Sequence, residues 1–100
     1  MIKHIVLWKL KDRAEGVEKQ VNIRRMKKLL ESLPEKIPVI RSFEVGVNAI
    51  PSDAAWDVSL YAEFATKEDL EIYQKHPEHL KAGEFVGKVR ESRAIVDYEV

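Results

Sequence analysis

Ile2 to Leu10 alternates in a way that leaves few architectures open. Ile2, His4, Val6, Trp8 and Leu10 fall on one face of an extended strand, and Lys3, Ile5, Leu7 and Lys9 on the other. Strands of half-solvated sheets are apolar on one face only. Here the middle of both faces is apolar, which predicts a central strand covered on both sides. His4 sits among the apolar residues of the first face, either as a satisfied core histidine or as a group kept for a ligand.

The remaining segments follow from period and punctuation. Lys11 to Gly16 is a charged connector. From about Ala14 to Leu33 the composition is helical, with Ile23, Met26, Leu29, Leu30 and Leu33 along one side. Val17 and Val21 lie roughly opposite that stripe, as overhanging first turns or as a patch touching another subunit. Pro34 and Pro38 mark the exit. Ile40 to Asn48 and Trp56 to Phe64 read as strands joined by a loop containing Pro51-Ser52-Asp53. Thr66, three residues before Asp69, is a helix N-cap. Arg93 to Val100 is a final strand.

Between them lies Tyr73-Gln74-Lys75-His76-Pro77-Glu78-His79, which holds two of the chain's 3 histidines. Pro77 disfavours helix at His76 and suits a first helical position. One helix therefore ends near Gln74 or Lys75 and another starts at Pro77. Leu80, Phe85, Val86 and Val89 offer core contacts in the second, although Gly83 and Gly87 weaken it. A break of this kind exposes polar side chains where function often resides.

Strand, helix, strand, strand, helix, strand is the ferredoxin-like βαββαβ order, an α+β fold whose antiparallel sheet carries its helices on one face. Ile5 and Leu7, with Tyr61, would then lie on the uncovered side. A second copy packing sheet to sheet would bury them, so a homodimer is expected. The 100 residues suit a single domain spanning 1–100. Lys plus Arg and Asp plus Glu number 17 each, so no net field favours nucleic acid. The Arg24, Arg25, Lys27, Lys28 cluster is followed by Glu31 and Glu35 and reads as a solvated helix face. With no cysteine, thiol chemistry is excluded. No apolar run reaches the roughly 18 residues that span a membrane. A soluble cytoplasmic protein is expected.

At this point the chain resembles the stress-responsive A/B barrel (Dabb) family. The resemblance rests on Ile2 to Asp12, on Ile37-Pro38 with Phe43 to Asn48, on Leu70 to His79, and on Val96-Asp97-Tyr98. It covers nearly all of the chain, and its strongest piece is Tyr-x-x-His-Pro-x-His combined with the initial Lys-His strand. It implies a ferredoxin-like protomer that pairs into a dimeric α/β barrel. One branch, of the olivetolic acid cyclase type, performs an intramolecular aldol condensation without metal or organic cofactor. Its catalytic tyrosine and histidine match Tyr73 and His79, a first-strand histidine matches His4, and a last-strand aspartate matches Asp97. The chain departs from that branch at Trp8 and Arg93, where smaller aliphatic residues line the pocket, so a partly filled cavity is expected.

The chemistry implied is proton abstraction beside a carbonyl. His79 would be the base, near its working pH with an unperturbed pKa of about 6.5. Tyr73 would donate to the developing enolate oxygen, Asp97 would fix the imidazole tautomer of His79, and His4 would polarise a second oxygen. Trp8, His76 and Asp97 are the expected substrate contacts around the catalytic Tyr73, His79 and His4. No cofactor or metal is expected. The competing use of His4, His76 and His79 as a three-histidine zinc site is opposed by Pro77, which spoils regular spacing. The rival from another class is a stress-associated structural protein whose assembly is its function. A third reading, oxygenase-type activity, has no residue in its favour. An open cavity beside His4, Tyr73 and His79 would separate the first two. A space plugged by Trp8 would favour the scaffold.

Overall fold

A computed structural model, covering all 100 residues, puts the first segment inside the sheet and not at its edge. In chain order the elements are β1 (Ile2–Leu10), a short hairpin of β2 (Arg13–Ala14) and β3 (Val17–Glu18), α1 (Lys19–Glu31), β4 (Ser42–Val47), β5 (Val58–Phe64), α2 (Lys67–Lys75), α3 (Pro77–Val89) and β6 (Arg90–Glu99). The main sheet is antiparallel, in the order β4-β5-β1-β6. This is the ferredoxin-like arrangement, with the helices on one face.

Burial alternates along β1 and β5 as a two-residue period requires. Ile2, His4, Val6 and Trp8 face the helices opposite Phe64, Ala62, Leu60 and Val58. Ile23, Met26 and Leu30 of α1 close over them, joined by Leu33 and Ile37 from the turns that follow. The other face carries Ile5 between Tyr61 and Val96, and Leu7 between Ser59 and Ala94. Val96 and Tyr98 stand exposed there. Both strand faces are therefore apolar near the middle, but the chain itself covers only one.

The expected helix start near Ala14 is corrected to Lys19. Glu15 and Gly16 both take positive φ, 51° and 78°, the pattern of a tight two-residue hairpin turn. That turn pairs Ala14 with Val17 and spends these residues on strand. Buried Asn22 ties the hairpin to α1 by donating its Nδ2–H to the Ala14 carbonyl at 2.9 Å. Val17 is thus a half-buried hairpin residue, and Val21, in the first turn of α1, is half-buried too. The last strand begins at Arg90, earlier than the expected Arg93, because α3 runs into β6 without a loop.

The expected break at Pro77 is present, and it reorganises the hydrogen bonds around it. Pro77 has no N–H to offer the Tyr73 carbonyl, which accepts from His76 N–H at 3.2 Å instead. His76 takes an extended conformation, φ −62° and ψ 137°, and its Nδ1 accepts from the Glu78 N–H at 3.1 Å. In an unbroken helix that N–H would have gone to the Gln74 carbonyl. The Gln74 carbonyl is left for a side chain, and His79 supplies it.

Candidate functional site

The two ends of the α2–α3 break deliver Tyr73 and His79 to the same place on the sheet. Tyr73, in the last turns of α2, is 1% exposed. Its ring lies edge-on to His4, with centroids 6.0 Å apart, and tilted against His79 at 4.5 Å. Phe64 packs against it from β5 at 5.0 Å and Phe43 from β4 at 6.2 Å. The aromatic body is held from several sides. The hydroxyl makes no hydrogen bond to the protein and is not among its buried unpaired atoms.

Tyr73 lines a cavity of about 150 Å³ between β1 and α3. Its inner wall is His4, Val6, Trp8 and Leu60 from the sheet, and Ala82 and Val86 from α3. Its outer rim is exposed. Gly83 and Gly87 stand on one side and Arg93 and Ile95 of β6 on the other. A side-chain carbon added at either glycine would meet nothing within 4 Å. The space is therefore open along this flank of the helix. Trp8, expected as a substrate contact that fills part of the cavity, forms part of its wall. It is buried with its Nε1–H unpaired, and the cavity persists beside it.

Each histidine has one ring nitrogen engaged. His79 Nδ1 donates to the Gln74 carbonyl at 3.0 Å, the group released by the helix break. This selects the tautomer whose Nε2 is a bare acceptor in the neutral ring. Burial lowers the His79 pKa below its ordinary 6.5, against the Gln74 hydrogen bond and aided by nearby positive groups, Arg93 among them. Burial raises the pKa of the Tyr73 phenol, so it stays a donor. A neutral base and a neutral donor side by side can move a proton and hold an oxyanion.

Asp97 corrects the expected pairing. β6 places it opposite His4 in the register, and its carboxylate bonds His4 Nδ1 and not His79. Cross-strand partners share a face, and parity along β6 assigns Asp97 to the helix side at His4. It does not line the cavity. His76 does not line it either. It caps α3, beside a shallow surface hollow with Glu68, Glu71 and Lys75. For the same reason the three-histidine arrangement does not form, and no three side chains of metal-ligating type converge. Of the six expected site residues, Tyr73, His79, His4 and Trp8 meet around one space, with Asp97 behind His4. Sequence reasoning missed Arg90, Gly83 and Gly87. The available signal is a Gly-x-x-x-Gly spacing inside a helix, with Arg90 and Arg93 three and six residues beyond Gly87.

These features define a ferredoxin-like α+β protomer with a tyrosine–histidine cavity between its sheet and a broken helix. The chain belongs to the Dabb family: the stress responsive A/B barrel domain matches residues 2–100. A dimeric protein of unknown function and ferredoxin-like fold from Bacteroides fragilis shares 46% identity with it. The match covers 99% of this chain and 95% of that one, with a TM-score of 0.87. A Dabb family protein from Mesorhizobium loti shares 25% identity over 99% and 95% of the two chains, with a TM-score of 0.71. A hydroxynitrile lyase from Passiflora edulis has the same fold, at 18% identity over 99% and 92%, with a TM-score of 0.77. No match was found among curated proteins. No helix is long and apolar enough to cross a membrane.

Proposed function

We propose that this protein is a dimer whose protomers each bind a small carbonyl compound in the cavity and transform it by acid/base chemistry without a cofactor. The observation that carries the reading is Tyr73, a buried ring whose hydroxyl makes no hydrogen bond to the protein, in the wall of a cavity it shares with His4 and His79. A tyrosine kept only for the fold would ordinarily tether its hydroxyl to a protein partner. In this reading His79 Nε2 removes a proton beside the carbonyl and Tyr73 donates to the oxygen as it becomes negative. His4, oriented by Asp97, presents its Nε2 side to the same space. Aldol or retro-aldol chemistry of the cyclase and lyase kind needs no other group. A hydroxynitrile lyase on the same fold is compatible with this, although that likeness concerns the fold alone.

The test is exchange of the α-protons of a small ketone, phenylacetone, for deuterium in D2O, followed by NMR. Wild type should exchange them faster than buffer. His79→Ala should lower the rate about 10²–10⁴-fold, and Tyr73→Phe about 10²-fold. Exchange at the buffer rate by wild type would remove the catalytic reading.

The dimer is argued from the uncovered sheet face, where Ile5, Leu7, Val96 and Tyr98 gather, and from the dimeric Bacteroides fragilis relative. Leu7→Glu should sediment as monomer or unfold; an intact dimer would refute this placement. A second reading, a paired scaffold without chemistry, draws on one observation. The cavity is smaller than the roughly 300–1,000 Å³ usual for ligand sites.

A further inference from the structure

Arg90 and Arg93 reach the cavity from the junction of α3 and β6, and neither forms an ion pair within the protein. Arg93 lies opposite Trp8 in the register, on the helix-side face of β6, and is exposed at the rim. Arg90 caps the C-terminal end of α3 and is half-buried. No aspartate or glutamate lines the space. Asp97, the acid nearest along that face of β6, is already engaged by His4. The cavity therefore has an apolar interior, neutral hydrogen-bonding groups at Tyr73 and His79, and two uncompensated guanidinium groups at its opening.

We propose that the cavity takes a small monocarboxylate, its apolar body against Val6, Trp8 and Val86 and its carboxylate held at the rim by Arg93 with Arg90. This rests on the reading of the cavity as a ligand site and names the ligand class. Combined with that reading, the substrate is a small oxo-acid, anchored by its carboxylate and presenting its carbonyl to Tyr73 and His79. A guanidinium fork matches a carboxylate in two parallel hydrogen bonds, so the anchor also sets the ligand's orientation. The size is consistent. A 150 Å³ space holds a molecule about as large as a benzene ring. The open slot at Gly83 and Gly87 lets the polar end stay near the guanidinium groups while the ring goes inward.

The test compares benzoate with benzamide, its neutral counterpart of nearly the same shape, by amide NMR titration of the full chain. Benzoate should bind about tenfold to a hundredfold more tightly, the worth of a charge-assisted hydrogen bond. It should also shift the signals of Gly83, Gly87 and Arg93. Arg93→Gln should reduce benzoate to the level of benzamide and leave benzamide unchanged. Arg93→Lys, a point charge without the fork, should recover only part of the difference. Equal binding of the two probes, insensitive to Arg93→Gln, would overturn the anionic assignment and leave the cavity reading standing. If neither probe perturbs cavity residues, both fall. Inorganic phosphate competing as well as benzoate would also overturn the proposal, since a bare cationic patch would then account for the binding.

Discussion

α1 and the α2–α3 pair lie on the same face of one sheet and treat it in opposite ways. α1 sets Ile23, Met26 and Leu30 into the sheet, and of these only Leu30 touches the cavity. α3 approaches with Ala82 and Val86, then Gly83 and Gly87 on the adjoining flank, and leaves about 150 Å³ beside Tyr73. The difference is one of side-chain volume on helices of equal length, 13 residues each. Glycine inside a helix costs roughly 0.8–1 kcal/mol relative to alanine, and α3 carries two. A helix selected for stability alone would fill those positions, because nothing obstructs a methyl group at either. One half of the helical layer is built for packing, and the other keeps room.

The contrast can be broken by substitution. Met26→Ala, on the solid side, should cost about 2–5 kcal/mol in urea denaturation, since Met26 is 0% exposed and the hole cannot collapse. A loss under 1 kcal/mol would mean that α1 is no tighter than α3. On the open side the sign should reverse. Gly83→Ala and Gly87→Ala should each stabilise by about 0.5–1 kcal/mol, and Gly87→Leu should also block benzoate from the cavity. Destabilisation by alanine at either position would show that the space is filled in solution. Smaller still, Tyr73→Phe and His79→Ala should leave stability within about 0.5 kcal/mol. Phe keeps the ring contacts with Phe64 and Phe43, and the Gln74 carbonyl freed by His79→Ala is near solvent.

The smallest effect is a pH dependence. The folded pKa of His79 is depressed, so the folded state binds its proton less readily than the unfolded chain does. Its contribution to stability is complete above pH 6.5 and declines as pH falls through 6.5 toward the folded value. Stability measured from pH 7.5 down to 5 should therefore fall less steeply in His79→Gln than in wild type. Parallel curves would show that His79 is as accessible as in the unfolded chain.

Much of this arrangement is legible in the amino-acid sequence. The βαββαβ order came from periodicity, and the helix break from Pro77, because both are properties of a few adjacent residues. Tyr73, His79 and His4 were recognisable as candidates by type and spacing. The hairpin at Glu15–Gly16 was hidden because a glutamate with φ of 51° carries no compositional mark, and the surrounding residues have helical composition. Asp97 was assigned to the wrong histidine because partnership across strands depends on register, here His4 opposite Asp97. His76 looked like a ligand contact, and the Glu78 N–H claimed it as a cap.

The chain alone thus decided its elements, their order and the place where a helix must stop. These follow from backbone dihedral preferences and side-chain periods that act over one or two turns. Which histidine meets Asp97, whether Trp8 plugs or lines the space, and where two arginines are left without partners were settled only by the assembled fold. Each depends on the volumes and positions of residues far apart in sequence, brought together by strand register and by how closely α3 approaches the sheet.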